Sequence, residues 1–458
     1  MRVIIGGAGE VGFNIAAHLA REHNDVTVVD PSPQMIARIN MDIDANGIVG
    51  SVSSPEVLSA AGAQDADMII AVTAQDEVNM VACQVAHSLF NVPKKIARIR
   101  DQVFRDPAWA NLFSRAHMPI DVIISPEVEV AKAFDTRLSV PGTTSVIPLS
   151  DGKLYLCGVL CKEDCPVVNT QLRQLADLFP DMNAKIMAIV RNGKAFVPKA
   201  DDQMLINDEV FFVSDALKLK YILSIFGHAE QKAENIIVIG GGDIGLCLIN
   251  KIKKSQKNIN LKVIEQCTKR AVELSETLEN TIILNASGLD KKILEEANIS
   301  NTDTLIAVTE DDETNILACL LARQYGCPRV IPLVNREAYN ALTGTLGLGA
   351  VVSPKAITSS TIMRHVRRGR VKAVHNLLGS FAEVLEIEAS DSTNILNTEF
   401  KEIDFPPNVY VCAIVRDTEV IIPDAQSTIK KGDHVIIMAA QGQASKVEKM
   451  FSAQVDIF

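Results

Sequence analysis

The sequence predicts an α/β protein in which a parallel-sheet domain and a small α+β domain occur twice in tandem. Three observations carry that prediction. A glycine-rich fingerprint occurs twice, about half the 458 residues apart; each copy sits between a β-branched run and an amphipathic stretch; and the segments that follow keep one order in both halves. The first copy, Gly7-Ala8-Gly9-Glu10-Val11-Gly12, follows Arg2-Val3-Ile4-Ile5. The second, Gly240-Gly241-Gly242-Asp243-Ile244-Gly245, follows Ile236-Ile237-Val238-Ile239. Each is a G-x-G-x-x-G, and each is followed by an acid closing a second apolar run: Asp30 after Val26-Thr27-Val28-Val29, and Glu265 after Leu261-Lys262-Val263-Ile264.

In the first half, strands are expected at 2–5, 26–30, 47–50, 68–72, 96–99 and 121–124, with helical periodicity between them. Phe13, Ala16, Ala17, Leu19 and Ala20 fall on one helical face. Alternating β and α segments imply a parallel sheet with helices on both faces, a Rossmann-like domain. The next part reads as strands with short helices and turns, at 145–149, 153–159, 172–179, 185–190 and 210–213, with a helix over 218–226. It is the small α+β module. Boundaries near Pro141-Gly142, in the polar stretch 228–234, and near 369–375 give domains 1–135, 142–228, 233–366 and 372–458.

The second half repeats this plan. Nine of sixteen positions in 71–86 are identical in 307–322. Ile124-Ser125-Pro126-Glu127 recurs as Val352-Ser353-Pro354-Lys355, and Ala188-Ile189-Val190-Arg191 recurs as Ala413-Ile414-Val415-Arg416. Pro198 and Asp208 recur as Pro423 and Asp433. This is duplication of a two-part unit rather than a short-period solenoid.

Composition excludes several classes. With 47% hydrophobic and 22% charged residues the chain is of ordinary globular type. A net charge of −11 argues against nucleic acid as partner, since phosphate backbones are bound mainly by Lys and Arg. No run of 18 apolar residues offers a membrane span, and the start is unlike a signal peptide, so a cytoplasmic protein is expected. Nine scattered cysteines suit a reducing compartment. Cys157, Cys161 and Cys165 are spaced by four, but no histidine stands near them; packing thiols are expected, and no metal site.

The fingerprint has a mechanical reading. The first glycine permits the tight strand-to-helix turn, the second lets backbone approach a pyrophosphate, and the third lets helix pack on strand. Free N–H groups and the helix dipole then hold the phosphate. Asp30 lies 18 residues after Gly12, and Glu265 lies 20 after Gly245, the distance at which an acid accepts from ribose hydroxyls. Such a carboxylate repels a 2′-phosphate, which disfavours NADP. Thr73 with Asp76, and Thr309 with Asp312, have capping-box spacing, in a loop that also falls at the carboxyl ends of the strands. Arg98 and Arg100 close the next strand, where an Arg reaches phosphate or stays in solvent; Leu333 and Asn335 stand in their places in the second half. Arg364, Arg367, Arg368, Arg370 and Lys372 form a basic cluster, either a solvated face or a contact to an acidic partner or anionic lipid. No recurring His/Asp or Lys/Asp arrangement serves as acid or base; His375 and His434 are isolated, and no Walker lysine is present. No catalytic residue is assigned, and two nucleotide pockets without catalytic apparatus point to reading a nucleotide rather than transforming it.

The whole chain resembles the TrkA family, peripheral regulators of bacterial Trk potassium-uptake systems. The resemblance rests on the first fingerprint with Asp30, on Asp65-Ala66-Asp67-Met68, on Ala71-Val72-Thr73 with Asp76-Glu77 and the run from Asn79 to Ala86, and on Ile96-Ala97-Arg98-Ile99-Arg100. It implies domains that regulate potassium conductance and bind NAD(H) and ATP/ADP. It also implies a homo-oligomer, a tetramer, on the inner face of the cell membrane beneath a Trk-type potassium translocator. By position, it puts Gly7, Ala8, Gly9, Glu10, Val11, Asp30, Thr73, Ala74 and Arg98 in the first pocket. Gly240, Gly241, Gly242, Asp243, Ile244, Glu265 and Thr309 fall in the second, and Gly12 and Gly245 complete the two fingerprints. Glu10 is an acid where phosphate is expected, which leaves the choice between NADH and adenine nucleotides open. An NAD-dependent oxidoreductase, a nucleotide-sensing regulator of another cation carrier, and a ligand-free scaffold are the competing readings.

Overall fold

The computed structural model describes residues 1–451, apart from 257, 337, 340–341, 343–345, 349–350, 367–370, 378–380, 392 and 441–442. Arg367, Arg368 and Arg370 of the basic cluster therefore lie outside the described residues. The chain packs as two compact units: Met1–Val130 with Ser353–Val366, and Ala131–Val352 with Arg367–Phe458.

The first unit is built on one six-stranded sheet. Its elements are β1 (Arg2–Gly6), α1 (Glu10–Arg21), β2 (Asp25–Asp30), α2 (Pro33–Asp42), β3 (Asn46–Val49), α3 (Pro55–Ala60), β4 (Met68–Ala71), α4 (Asp76–Phe90), β5 (Lys94–Arg98) and β6 (Val122–Ile124). The strand order is β3-β2-β1-β4-β5-β6, with every pairing parallel. Val3, Ile4 and Ile5 of β1 are buried on both faces, the pattern of a strand covered by helices on each side. The order reverses between β1 and β4, and the crevice outside the carboxyl ends of the strands opens there. On α1 the fully buried positions are Gly12, Ile15, Ala16 and Leu19, a face that includes Ile15; Phe13, Ala17 and Ala20 are only half-buried along its border.

A helix from far along the chain completes this unit. α5 (Pro126–Ser139) begins in it, but the helix that packs on α1 is Pro354–Val366, α12 in chain order. Its Ile362, Met363 and Val366 join the core of Ile5, Ile15, Leu19 and Ile70, and Lys94 donates to the His365 carbonyl.

The second unit holds three sheets. β7 (Ser145–Leu149), β8 (Leu154–Leu160), α6 (Leu172–Leu178), β9 (Ala184–Arg191), β10 (Lys194–Phe196), β11 (Glu209–Asp215) and α7 (Leu219–Ile225) form an antiparallel sheet of order β10-β9-β11-β8-β7. β12 (Asn235–Ile239), α8 (Asp243–Ser255), β13 (Asn260–Glu265), α9 (Thr268–Thr277), β14 (Ile282–Asn285), α10 (Lys291–Glu296), β15 (Thr304–Ala307), α11 (Asp312–Gln324) and β16 (Arg329–Pro332) repeat the parallel fold in the order β14-β13-β12-β15-β16. Among the described residues a parallel bridge, Leu333 to Val352, stands where the first sheet has its sixth strand. After α12, β17 (Val371–Leu377), β18 (Ala382–Glu388), β19 (Val409–Arg416), β20 (Glu419–Ile421), β21 (His434–Ala440) and α13 (Ala444–Phe451) repeat the small module as β17-β18-β21-β19-β20.

The two small sheets share a core. Leu154, Leu156, Met187, Phe211 and Val213 of one pack with Val384, Cys412, Val415, Ile436 and Met438 of the other. The Ser150 N–H and hydroxyl donate to the buried Glu386 carboxylate, which His434 Nδ1 also meets at 2.9 Å. His434 is thus part of this network rather than isolated. Each module also contains a forked ion pair. Arg191 Nε and an NH2 group reach Asp208 at 2.9 and 2.7 Å, and Arg416 reaches Asp433 at 2.9 and 2.8 Å. Cys157, Cys161 and Cys165 lie in the core of the first module, as packing thiols.

Candidate nucleotide site

Both glycine loops are shaped by the same contacts. Gly7 has φ +109°, and a Cβ there would stand 3.1 Å from the Thr73 nitrogen. A Cβ on Gly12 would fall 1.8 Å from the Gly7 carbonyl oxygen, so α1 can leave β1 this closely only with glycine. Gly240, at φ +102°, and Gly245, with its Cβ position 2.1 Å from the Gly240 oxygen, repeat both constraints. The middle glycine is different. A Cβ on Gly9 or on Gly242 would meet nothing within 4 Å. The protein's own packing demands the outer glycines; the middle one keeps clear the space over the helix N-terminus. A Cβ on Gly241 would lie 2.2 Å from Leu274 Cδ1, the end of a flexible side chain that can shift to admit it, and Ala8 stands in its place in the first loop.

The acids clamp the loops. Asp30 accepts from the Ala8 N–H at 2.8 Å and from the Ser32 N–H at 2.8 Å. Glu265 accepts from Gly241 at 2.6 Å and Cys267 at 2.7 Å. Each carboxylate oxygen keeps further lone-pair capacity.

Thr73 and Thr309 stand opposite the loops at the ends of β4 and β15, but not as capping-box residues. The N-cap of α4 is Gln75 and that of α11 is Asp311, whose carboxylate accepts from the Thr314 N–H. The threonines pair with buried asparagines instead. Asn79 accepts from the Thr73 N–H and hydroxyl and donates to the carbonyls of Thr73 and Arg98. Asn315 does the same with Thr309 and the Leu333 carbonyl. Asp76 and Asp312 turn away from the cap to accept the N–H groups of 100–101 and 335–336. A side chain six residues away outcompetes the capping box because one amide can tie two strand ends together. Ala74 is exposed beside Thr73.

Arg98 is largely buried at the end of β5. Its guanidinium lies 3.7 Å from Glu127, which Arg100 Nε also reaches at 3.1 Å. Burial lowers the Arg98 pKa despite the opposing pull of Glu127. Among the described residues its Nε has no hydrogen-bond partner. Gly7 through Gly12, Asp30, Thr73 and Arg98 thus form one connected set in the first unit. In the second unit Gly240 through Gly245, Glu265 and Thr309 form another, with uncharged Leu333 where the first has Arg98. Asn79, Asn315, Glu127 and Lys355 were not legible as site residues; the recurrence of Asn79 as Asn315 was the available signal.

The family model of the TrkA-N domain matches residues 3–126 and 236–354, the two stretches that hold these loops, and that of the TrkA-C domain matches 384–452. A Trk system potassium uptake protein TrkA of Azorhizobium caulinodans is 44% identical over 458 residues, the whole of both chains. The chain belongs to the TrkA family. Among solved structures, the GsuK RCK domain matches the TrkA fold with a TM-score of 0.60 at 17% identity, over 98% of this chain and 94% of its own. The GsuK channel bound to NAD matches with a TM-score of 0.59 at 16% identity, over 98% of this chain and 78% of its own. These likenesses bear on the fold: tandem TrkA-N sheets of Rossmann type, as the duplicated fingerprint predicts.

Proposed function

We propose that the chain is the nucleotide-responsive regulatory subunit of a Trk-type potassium-uptake system. It binds NAD(H) or an adenine nucleotide in one or both crevices and carries out no chemistry on it. One observation carries the binding part: Gly9 and Gly242 leave open space over a helix N-terminus that the protein does not use, and this occurs twice with an acid clamp beside it. The N–H groups that open α1 and α8 need acceptors, and a pyrophosphate supplies them. The GsuK channel, a protein of like fold, is bound to NAD in one of its structures, which supports the same reading. The potassium-uptake part rests on full-length relatives of that name. Among the described residues no helix is long and apolar enough to cross a membrane, so the membrane-spanning role falls to a partner. The working assembly is a homotetramer held peripherally on the cytoplasmic face of that partner.

Nucleotide acts by population shift: it binds one arrangement of the paired repeats better than another, and the favoured arrangement sets the gate of the translocator. The test is reconstitution with a Trk-type translocator. Gly9→Ala with Gly242→Ala should abolish both nucleotide binding and the nucleotide response of potassium flux. Loss of binding with an unchanged response would refute the proposal.

A further inference from the structure

The acid in the first loop is not alone. Glu10 opens α1, where the first N–H groups of the helix point outward, and its carboxylate is held by two cations. Lys355 Nζ lies 2.8 Å from Oε2, and an Arg38 NH1 group lies 3.2 Å from Oε1. Lys355 comes from the first turn of α12, 345 positions along the chain. Arg38 is itself anchored: its guanidinium stacks 4.1 Å from the Phe13 ring centroid and reaches Asp42 at 3.8 Å. The hydrogen bond from Lys355 is the largest influence holding the Glu10 pKa below its ordinary value. Glu10, Lys355, Arg38 and Asp42 therefore form a closed set of two anions and two cations beside the expected phosphate position. Both cations are already committed.

We propose that the Glu10–Lys355 pair sets the class of nucleotide the first crevice accepts: a dinucleotide whose pyrophosphate is esterified at both ends, in preference to a nucleotide ending in a free phosphate. This rests on the reading that the first crevice binds nucleotide at all. A doubly esterified pyrophosphate brings about two negative charges. A pyrophosphate with one free end, as in ADP, carries about one more, and its terminal phosphate has three strong acceptor oxygens that seek cations. Next to the loop those oxygens meet the Glu10 carboxylate, and the nearby Lys355 and Arg38 can serve them only by leaving it. The doubly esterified ligand demands no such exchange. Lys355 is a positioning residue here: it holds Glu10 charged and in place. The second loop is built differently. Its acid, Asp243, has Arg270 only at 4.0 Å, and Arg270 already donates to the Gly241 carbonyl and pairs with Glu273.

The test is calorimetric titration with NADH and with ADP of the full chain carrying Gly242→Ala, which silences the second crevice. In that background Glu10→Gln frees both cations. It should tighten ADP roughly ten-fold, the size of one unscreened charge contact at a partly exposed site, while NADH changes less than about three-fold. Lys355→Met should weaken ADP more than NADH, and Lys355→Arg should restore the parent values. The swap Glu10→Lys with Lys355→Glu re-forms the ion pair with its sense reversed, so a merely structural role would leave preference unchanged; the prediction is a shift toward ADP. Equal changes for the two ligands in Glu10→Gln, or an unshifted ratio in the swap, would overturn the inference alone. Absence of NADH and ADP binding in the parent would overturn the nucleotide reading of the first crevice, and the inference with it.

Discussion

At the scale of single residues, the two fingerprints divide by what each glycine must satisfy. Gly12→Ala pushes a Cβ into the Gly7 carbonyl and should cost about 3 kcal/mol or more of stability, read from urea unfolding. Gly9→Ala meets no protein atom and should cost at most about 1 kcal/mol, through the helix N-cap, while removing nucleotide binding. Asn79→Asp keeps the acceptor for Thr73 but loses both donors, leaving two carbonyls against a carboxylate. It should destabilise the first unit by roughly 3 kcal/mol, again by urea unfolding, with Asn315→Asp as its counterpart. Glu10 gives a pH-dependent prediction. Its folded-state pKa lies below the ordinary value, so the ion pair's contribution is complete above the ordinary carboxylate range and is lost as pH falls through that lower value. Carboxyl carbon NMR should show the Glu10 midpoint rising in Lys355→Met; an unmoved midpoint would remove Lys355 as the cause. The glycines and acids were legible in the sequence because each depends on neighbours within one strand–turn–helix unit. Lys355 was not, since its partner is 345 positions away and no local spacing signals it.

At the scale of elements, the parallel strands of the first unit fall within a residue or two of the runs that predict them; the central ones, β1 and β4, are apolar runs buried on both faces, which have few alternatives. β10 was missed. It is three residues long, but Asn192-Gly193 before it is a two-residue hairpin turn, with both residues at positive φ, and was the signal to use. The capping-box spacing misled because it scores only local partners, whereas Asn79 ties the ends of β4 and β5. The destination of α12 was likewise hidden: its apolar face fits any parallel-sheet domain of this type. Ile362 is fully buried against α1, so Ile362→Ala should cost about 3 kcal/mol and raise hydrogen exchange in α1. Asp208→Ala removes the ion-pair partner of a part-exposed guanidinium, which keeps its bond to the Gln203 carbonyl, and frees the Leu205 N–H. A loss of about 2 kcal/mol in thermal or urea unfolding is expected, matched by Asp433→Ala in the second module.

At the scale of the whole molecule, duplication explains both what recurs and what differs. The loops, acid clamps, asparagine ties and forked ion pairs are present twice, so they answer to the fold common to both repeats. Among the described residues, Arg98 with Glu127, and Glu10 with Lys355, are found at the first crevice and not at the second, so they answer to whatever the first crevice must do. Substituting Asp30 or Glu265 would mix the two roles, because each acid also shapes its own loop. The middle glycines separate them. The most direct measurement is therefore calorimetric titration of NADH into the full chain and into Gly9→Ala, Gly242→Ala and the double variant, with unfolding curves taken alongside. Binding that falls crevice by crevice and vanishes in the double variant, with the fold intact, is the predicted result. Undiminished binding in the double variant, or none in the parent chain, would contradict the account of these loops as nucleotide cradles.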